Sequence, residues 1–276
     1  MAVQLVKAPV VVAQPLNTTY RMMNQLTHYI KSCFVGTLLL SKLSLQAVEA
    51  PDYSSYARLL KTYVEDEGVH YAKWVKNQED VIALQEFVKL LGQVDIDALS
   101  EADQAALYIN LYNAAMLCSV LEEYPIRSVK AIGTSPFSVF KKDFIALADR
   151  KVSLDEIEKG ILLKDYFDPR IHFTLNCASE SCPPLRTEPF GGDQLEKQME
   201  EQAKLFANSD RAAQVDRVKK SIAYSELFKW YADDFDVENP AEYLNKYRYD
   251  TLPTSYSVDW IKYDWALNEI TEKEIQ

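Results

Sequence analysis

Glycine is scarce, 7 residues among 276, and neither glycine-rich phosphate cradle, GxGxxG or GxxxxGK[ST], occurs in the chain. HExxH and paired CxxC are also missing, which removes the usual zinc-protease and zinc-ribbon patterns. Positive charge is short as well: 30 Lys and Arg face 41 Asp and Glu, for a formal charge of −11 and a pI near 4.9. A nucleic-acid binder or a protein drawn to anionic lipid needs clustered basic residues, so both classes are disfavoured. With 3 histidines and 4 cysteines, any imidazole or thiol chemistry must come from a handful of positions. What is abundant is apolar and aromatic side chain, 48% and 12%, enough for a substantial core. No Gly/Ser tract divides residues 51–276 and no repeat is visible, so this stretch reads as one domain.

The first 50 residues have a different character. After Met22 and Met23 come the basic Lys31, an apolar run over 34–40 and small residues near Ala47 and Ala50, followed by Pro51. That is the order of a secretory signal peptide, with translation starting at Met22 or Met23 and residues 1–21 an upstream extension. The expected location is the periplasm or cell envelope. The run falls short of the ~20 apolar residues of a membrane span, so the mature chain is expected to carry none. Removing residues 1–50 takes away His28 and Cys33 and leaves His70, His172, Cys118, Cys177 and Cys182. Three cysteines in an oxidising compartment leave at least one unpaired.

Helical spacing of Tyr56, Leu59, Leu60, Tyr63 and Val64 predicts a helix over 52–67 with Gly68 as its stop, and Val81, Leu84, Phe87, Val88 and Leu91 predict another over 78–91, closed by Gly92. Ser100 and Asp103 stand at capping-box spacing before an uncharged run, 104–121, whose apolar residues leave no polar face and predict a buried central helix. Asn110 and Asn113 share a face of it; a buried asparagine needs partners, either neighbouring backbone groups or a site. Farther on, 144–148 and 151–153 suggest a hairpin, Ser153 and Glu156 a capping box opening a helix to about 163, 193–206 a helix, 215–223 a strand, and 225–231 and 240–247 shorter helices. The aromatic tail 256–268 reads as strand-like. Helices first and strands mixed with helices later define an α+β fold, its buried central helix packed on a mainly antiparallel sheet.

The densest chemistry lies in Arg170-Ile-His-Phe-Thr-Leu-Asn-Cys-Ala-Ser-Glu-Ser-Cys-Pro-Pro-Leu-Arg186. Alternation predicts a strand with Ile171, Phe173, Leu175 and Cys177 on a core face and His172, Thr174 and Asn176 on a polar one. Cys182 lies past the turn, stiffened by Pro183 and Pro184. A cysteine nucleophile needs its thiolate, and an imidazole in reach can take the proton and return it to the leaving group. His172 is the candidate base and Cys182 the candidate nucleophile, with Cys177 turned into the core. Asn110 or Asn113 would orient the imidazole or serve an oxyanion, with Asp264 an outside candidate for the orienting role. Arg170 and Arg186 could hold a substrate carboxylate, helped by Asn176, or could simply form surface ion pairs. Two rival readings stand: a Cys177–Cys182 disulfide, and a metal site, which lacks the fourth ligand a structural zinc requires.

Four blocks carry a family resemblance: Ala106-Leu-Tyr-Ile-Asn-Leu-Tyr-Asn-Ala114, Val152-Ser-Leu-Asp-Glu-Ile-Glu158, the stretch from Arg170 to Arg186, and Tyr263-Asp-Trp-Ala-Leu-Asn268. In that order they resemble the bacterial family catalogued as domain of unknown function 547. The resemblance implies an export signal. Its Asn, His and Cys blocks are similar in kind to thiol hydrolases of the papain and phytochelatin-synthase type, which implies activity on a small, glutathione-like peptide or amide. The order here, Asn then His then Cys, differs from the papain order and would require a permuted papain-like arrangement. The expectation is an exported cysteine-dependent hydrolase or transferase with a small peptide or thiol-containing substrate, no cofactor, no metal and no nucleic-acid partner. The alternative is a non-catalytic ligand- or protein-binding module of the cell envelope.

Overall fold

Tyr56, Leu59, Leu60 and Tyr63, one turn apart, form the buried face of α1 (Ser54–Tyr63) in a computed structural model that describes residues 50–65 and 68–271. The signal-peptide reading falls on residues 1–49 and Ala50, and so lies almost wholly outside the described residues. After α1, β1 (Val64–Glu65) and β2 (Gly68–Val69) pair antiparallel and lead to α2 (Tyr71–Trp74). Gly68 ends no helix. A Cβ there would sit 2.3 Å from the Asn268 carbonyl oxygen, so glycine is needed for the carboxy-terminal segment to pass this closely.

α3 (Gln78–Leu91) starts where the Asn77 side chain accepts from the Asp80 N–H. Its end at Gly92 keeps right-handed backbone, and the glycine serves close packing: a Cβ would lie 2.1 Å from the Ala146 carbonyl oxygen. α4 (Glu101–Glu123) is capped by Ser100, whose Oγ accepts from the Asp103 N–H at 3.2 Å and donates to the Asp103 carboxylate at 2.6 Å. Every residue from 105 to 121 is buried. By length and hydropathy this helix could cross a bilayer, but protein surrounds it. Its main neighbours are α3, a π-helix and the 3-10 turn Gly192–Gln194, so helical segments sheathe it more than sheet does.

Beyond α4 the elements shorten. α5 (Ser138–Lys141) precedes the hairpin β3 (Ile145–Leu147) and β4 (Arg150–Val152). Ser153 Oγ then accepts from the Glu156 N–H and opens a helix as its spacing predicts, but the helix is a π-helix (Glu156–Leu162) that passes into α6 (Leu163–Tyr166). A 3-10 helix (Pro169–Phe173) and the cysteine-bearing stretch lead to α7 (Leu195–Ala207). The strand expected over 215–223 is two strands, β5 (Ala213–Asp216) and β6 (Ser221–Ser225), because the Asp216 carboxylate accepts from the Val218 and Lys219 N–H groups and turns the chain. After α8 (Leu227–Trp230), α9 (Ala232–Phe235) and α10 (Pro240–Leu244), β7 (Ser257–Ile261) adds parallel to β6. Three of the four strand pairings among the described residues are antiparallel, and the fold is α+β.

Two clusters of buried side chains form the interior. One surrounds α4; the other gathers Phe173, Phe206, Phe228, Phe235 and Tyr243 around α7, β6 and α8 to α10. The stretch from 171 to 182 runs along their seam. Ile171, Leu175 and Ala178 enter the first cluster, Phe173 enters the second, and Trp265 packs against both.

Candidate active site

The segment expected to be a strand is not one. Asp168 accepts from the Arg170 N–H at 2.9 Å, and Pro169 in the first helical position sets up the 3-10 turn. The apolar residues alternate because Ile171 and Leu175 enter one cluster and Phe173 the other, and the supposed polar face is buried too: His172, Thr174 and Asn176 are 4%, 3% and 3% exposed. In place of a neighbouring strand, the Asn113 side chain on α4 brackets the backbone, donating to the Thr174 carbonyl at 2.9 Å and accepting from the Asn176 N–H at 2.8 Å.

From Asn176 the chain makes a tight loop pinned on two sides. Asn176 Oδ1 accepts from the Ala178 N–H at 2.9 Å, and its Nδ2 donates to the Pro183 carbonyl at 2.8 Å. The carboxy-terminal segment runs alongside: the Asn268 N–H donates to Ala178, Glu180 to Ala266 and Ser181 to Asp264. Ala178 takes left-handed backbone, φ +60°, a conformation that costs a side-chain-bearing residue about 1 kcal/mol.

This loop sets the two sulfurs 2.8 Å apart, with Cys177, Cys182 and Cys118 all unbridged. The Cys177 N–H donates to Cys182 Sγ at 2.8 Å, while Ser179 Oγ and Tyr263 Oη lie 2.9 and 3.3 Å from Cys177 Sγ. Cys177, which strand parity places on the core face, is half-buried, and Cys182 past the turn is the buried one. Burial would push the Cys182 thiol up, but the S–H and N–H of Cys177 and the hydroxyls of Tyr263 and Ser179 stabilise its thiolate and bring it below the ordinary thiol value. Cys177 moves well up, through burial and through the charge beside it. Cys118 is pushed up by burial.

Both sulfurs line a cavity of about 500 Å³ whose walls include Tyr112, Phe137, Trp230, Tyr231, Tyr263 and Trp265, with Lys141, Asp155, Glu158 and Lys159 as its charged groups. His172 lines the same cavity. Its Nε2 is 2.8 Å from Asp234 Oδ2, and its ring packs on Tyr231 at 4.1 Å and Phe235 at 5.3 Å. Burial lowers the His172 pKa, opposed in part by the Asp234 charge. The carboxylate accepts from Nε2–H, so the neutral ring keeps its lone pair on Nδ1. Glu158, from the π-helix, accepts from Tyr231 Oη at 2.6 Å and Tyr112 Oη at 3.4 Å, and burial raises its carboxyl pKa.

Of the side chains singled out in the sequence, His172 and Cys182 share the cavity, joined by Cys177. The others lie elsewhere. Asn110 makes a two-point clamp on the Phe190 backbone, 2.8 and 2.9 Å, and Asn113 and Asn176 hold the cysteine loop as described. Arg170 forks onto Asp168 and Glu196, and Arg186 bonds Glu188 and reaches Glu201 at 3.1 Å, so both guanidiniums sit in ion pairs. Asp264 caps the turn to Ala266 and does not contact His172; the carboxylate on His172 is Asp234. Asp234 carried no signal in the sequence, being one of two aspartates in a short helix 62 residues from its partner. Tyr112, Glu158 and Tyr263 stood inside the resemblance blocks without being singled out. Among the described residues, no group of three or more His, Cys, Asp or Glu gathers as a metal site.

Fold and site together define an α+β protein with a paired-thiol pocket and a carboxylate-held histidine at the seam of its core. Residues 96–207 match the family model described as "Protein of unknown function, DUF547". The match takes in α4, the π-helix, His172 and both cavity cysteines, and ends before Tyr231, Asp234 and Tyr263. No match was found among curated proteins or solved structures.

Proposed function

We propose that the protein is a cysteine-dependent hydrolase or transferase acting on a small peptide or amide, with Cys182 as nucleophile and His172 as base and then acid. The observation that carries this reading is the meeting, in one cavity, of a thiol surrounded by hydrogen-bond donors and an imidazole held by Asp234. His172 takes the Cys182 proton; the thiolate adds to the carbonyl carbon, and the imidazolium protonates the departing amine to leave a thioester. Water, or an acceptor amine in a transfer, then attacks with His172 as base and Cys182 leaves. Asp234 is a positioning residue that selects the tautomer. The aromatic walls and the cavity volume suit a ligand the size of a tripeptide such as glutathione.

Iodoacetamide labelling of the native chain, mapped by peptide mass, tests the nucleophile. Cys182 is expected to react first and Cys118 only on unfolding; equal, slow labelling of Cys118, Cys177 and Cys182 overturns the reading. Glutathione and dipeptide amides followed by chromatography test turnover, which Cys182→Ala should reduce by about 10³-fold or more. A non-catalytic binding module instead predicts retained ligand affinity in Cys182→Ser and no product. Export belongs to the same proposal, supported by the order of residues over 31–51. An amino terminus near residue 50 on the protein recovered from its source supports it, and one at Met1, Met22 or Met23 overturns it.

A further inference from the structure

The hydrolase reading uses one of the two cavity thiols and gives the other no chemical step. Cys177 Sγ stands 2.8 Å from Cys182 Sγ, against about 2.05 Å in a disulfide, so bonding needs less than an ångström of approach. The loop that joins them is held at Asn176, Ala178, Glu180 and Ser181, which keeps the sulfurs facing one another. Both cysteines line the cavity, which brings a small oxidant beside them. Cys118 is not among the cavity's lining residues.

We infer that Cys177 and Cys182 form a peroxide-reactive dithiol, in which Cys182 is oxidised first and Cys177 resolves it to an intramolecular disulfide that a dithiol reductant reopens. The Cys182 thiolate attacks one peroxide oxygen; the S–O bond forms as the O–O bond breaks, and the released alkoxide or hydroxide takes a proton. Cys182 is then a sulfenic acid. Cys177 sulfur attacks it, the S–S bond forms as the S–O bond breaks, and the departing hydroxide takes the Cys177 proton and leaves as water. The sum is one dithiol and one peroxide giving one disulfide, one alcohol or water, and one further water. Two electrons pass from the sulfurs to the peroxide, and a dithiol reductant returns them by exchange.

The roles differ because the surroundings differ. Cys182 receives the Cys177 N–H, which favours its thiolate, whereas Cys177 is held protonated by burial and by the charge on Cys182. Oxidation of Cys182 removes that charge, so Cys177 becomes more acidic at the step in which it must attack. Ser179 Oγ and Tyr263 Oη, 2.9 and 3.3 Å away, are placed to stabilise the Cys177 thiolate.

The test uses the full chain and hydrogen peroxide. After brief exposure, the tryptic peptide holding both cysteines should lose two hydrogens in mass, its iodoacetamide labelling should fall about tenfold or more, and dithiothreitol should restore both. Cys177→Ser should accumulate a dimedone-trappable sulfenic acid at Cys182, about tenfold above wild type; Cys182→Ser should yield neither adduct nor disulfide. Melting temperatures of both variants confirm that they are folded. Persistent labelling of both thiols after peroxide, or direct passage of wild-type Cys182 to sulfinic acid, overturns the inference. The inference does not depend on the hydrolase reading: disulfide formation without turnover of any amide leaves the dithiol and removes the hydrolase, and turnover without disulfide does the converse.

Discussion

Asp234 decides which nitrogen of His172 carries the proton, and one substitution tests that role. Asp234→Asn removes the charge that holds the imidazole pKa up against burial. The acid limb of the pH profile for Cys182 alkylation should therefore move to lower pH, while turnover falls by about 10²–10⁴-fold as the tautomer is no longer enforced. An unchanged limb would mean that the carboxylate only fills space. Glu158 gives a second test, on stability. Its folded pKa is raised from 4.5, chiefly by burial, so the folded state binds the proton more tightly than the unfolded chain. That contribution is fully present below about pH 4.5 and is lost as pH rises through the folded pKa. Glu158→Gln should accordingly unfold at higher urea concentration than wild type at pH 7, and the difference should shrink or vanish at pH 4.

At the scale of elements, α4 contributes clamps to the site, and its two asparagines act at different places. Asn113 holds residues 174 and 176 just ahead of Cys177, whereas Asn110 holds Phe190 beyond the loop. Either change to Ala strands buried backbone groups and should cost about 2–4 kcal/mol in denaturant unfolding. Cys182 labelling should change in Asn113→Ala alone, because only that clamp fixes the cysteine loop. The 3-10 turn that carries His172 is tied to α7 through Arg170, whose guanidinium and Asp168 partner are mostly shielded from solvent while Glu196 on α7 is exposed. Arg170→Ala should lower stability by about 1–3 kcal/mol, without raising KM if the guanidinium holds the fold and no substrate. A large rise in KM would return it to the binding site.

For the whole molecule, the site's place at the seam of two cores explains how a histidine 4% exposed comes to line a cavity. That placement ties stability to pH. The folded pKa of His172 lies below its unfolded value of 6.5, so around pH 6 the unfolded chain binds more protons. Its contribution is present above about pH 6.5 and is lost as pH falls through the folded pKa. Wild type should lose stability on acidification across this window, and His172→Gln should show a flatter curve in urea titrations at successive pH values.

Much of the architecture was legible because it is local. Ser100 and Ser153 sit within three residues of the N–H groups they cap, and the uncharged run before Glu122 needs no partner to be read as buried. The blocks holding His172 and Cys182 were visible for a similar reason, since few residue types do thiol chemistry. The strand expected at 171–177 failed because alternation of apolar residues has two causes, a sheet face or a buried seam between cores, and periodicity cannot separate them. Glu158 and Tyr263 reach the cavity, and Asp234 the His172 ring, from elements far apart in the chain, and nothing local marks such a meeting. Residue chemistry and short-range capping therefore marked the long helices and the candidate site side chains His172 and Cys182. Long-range packing selected the carboxylate for His172, turned Asn110, Asn113, Arg170 and Arg186 to scaffold contacts, and set Cys177 against Cys182.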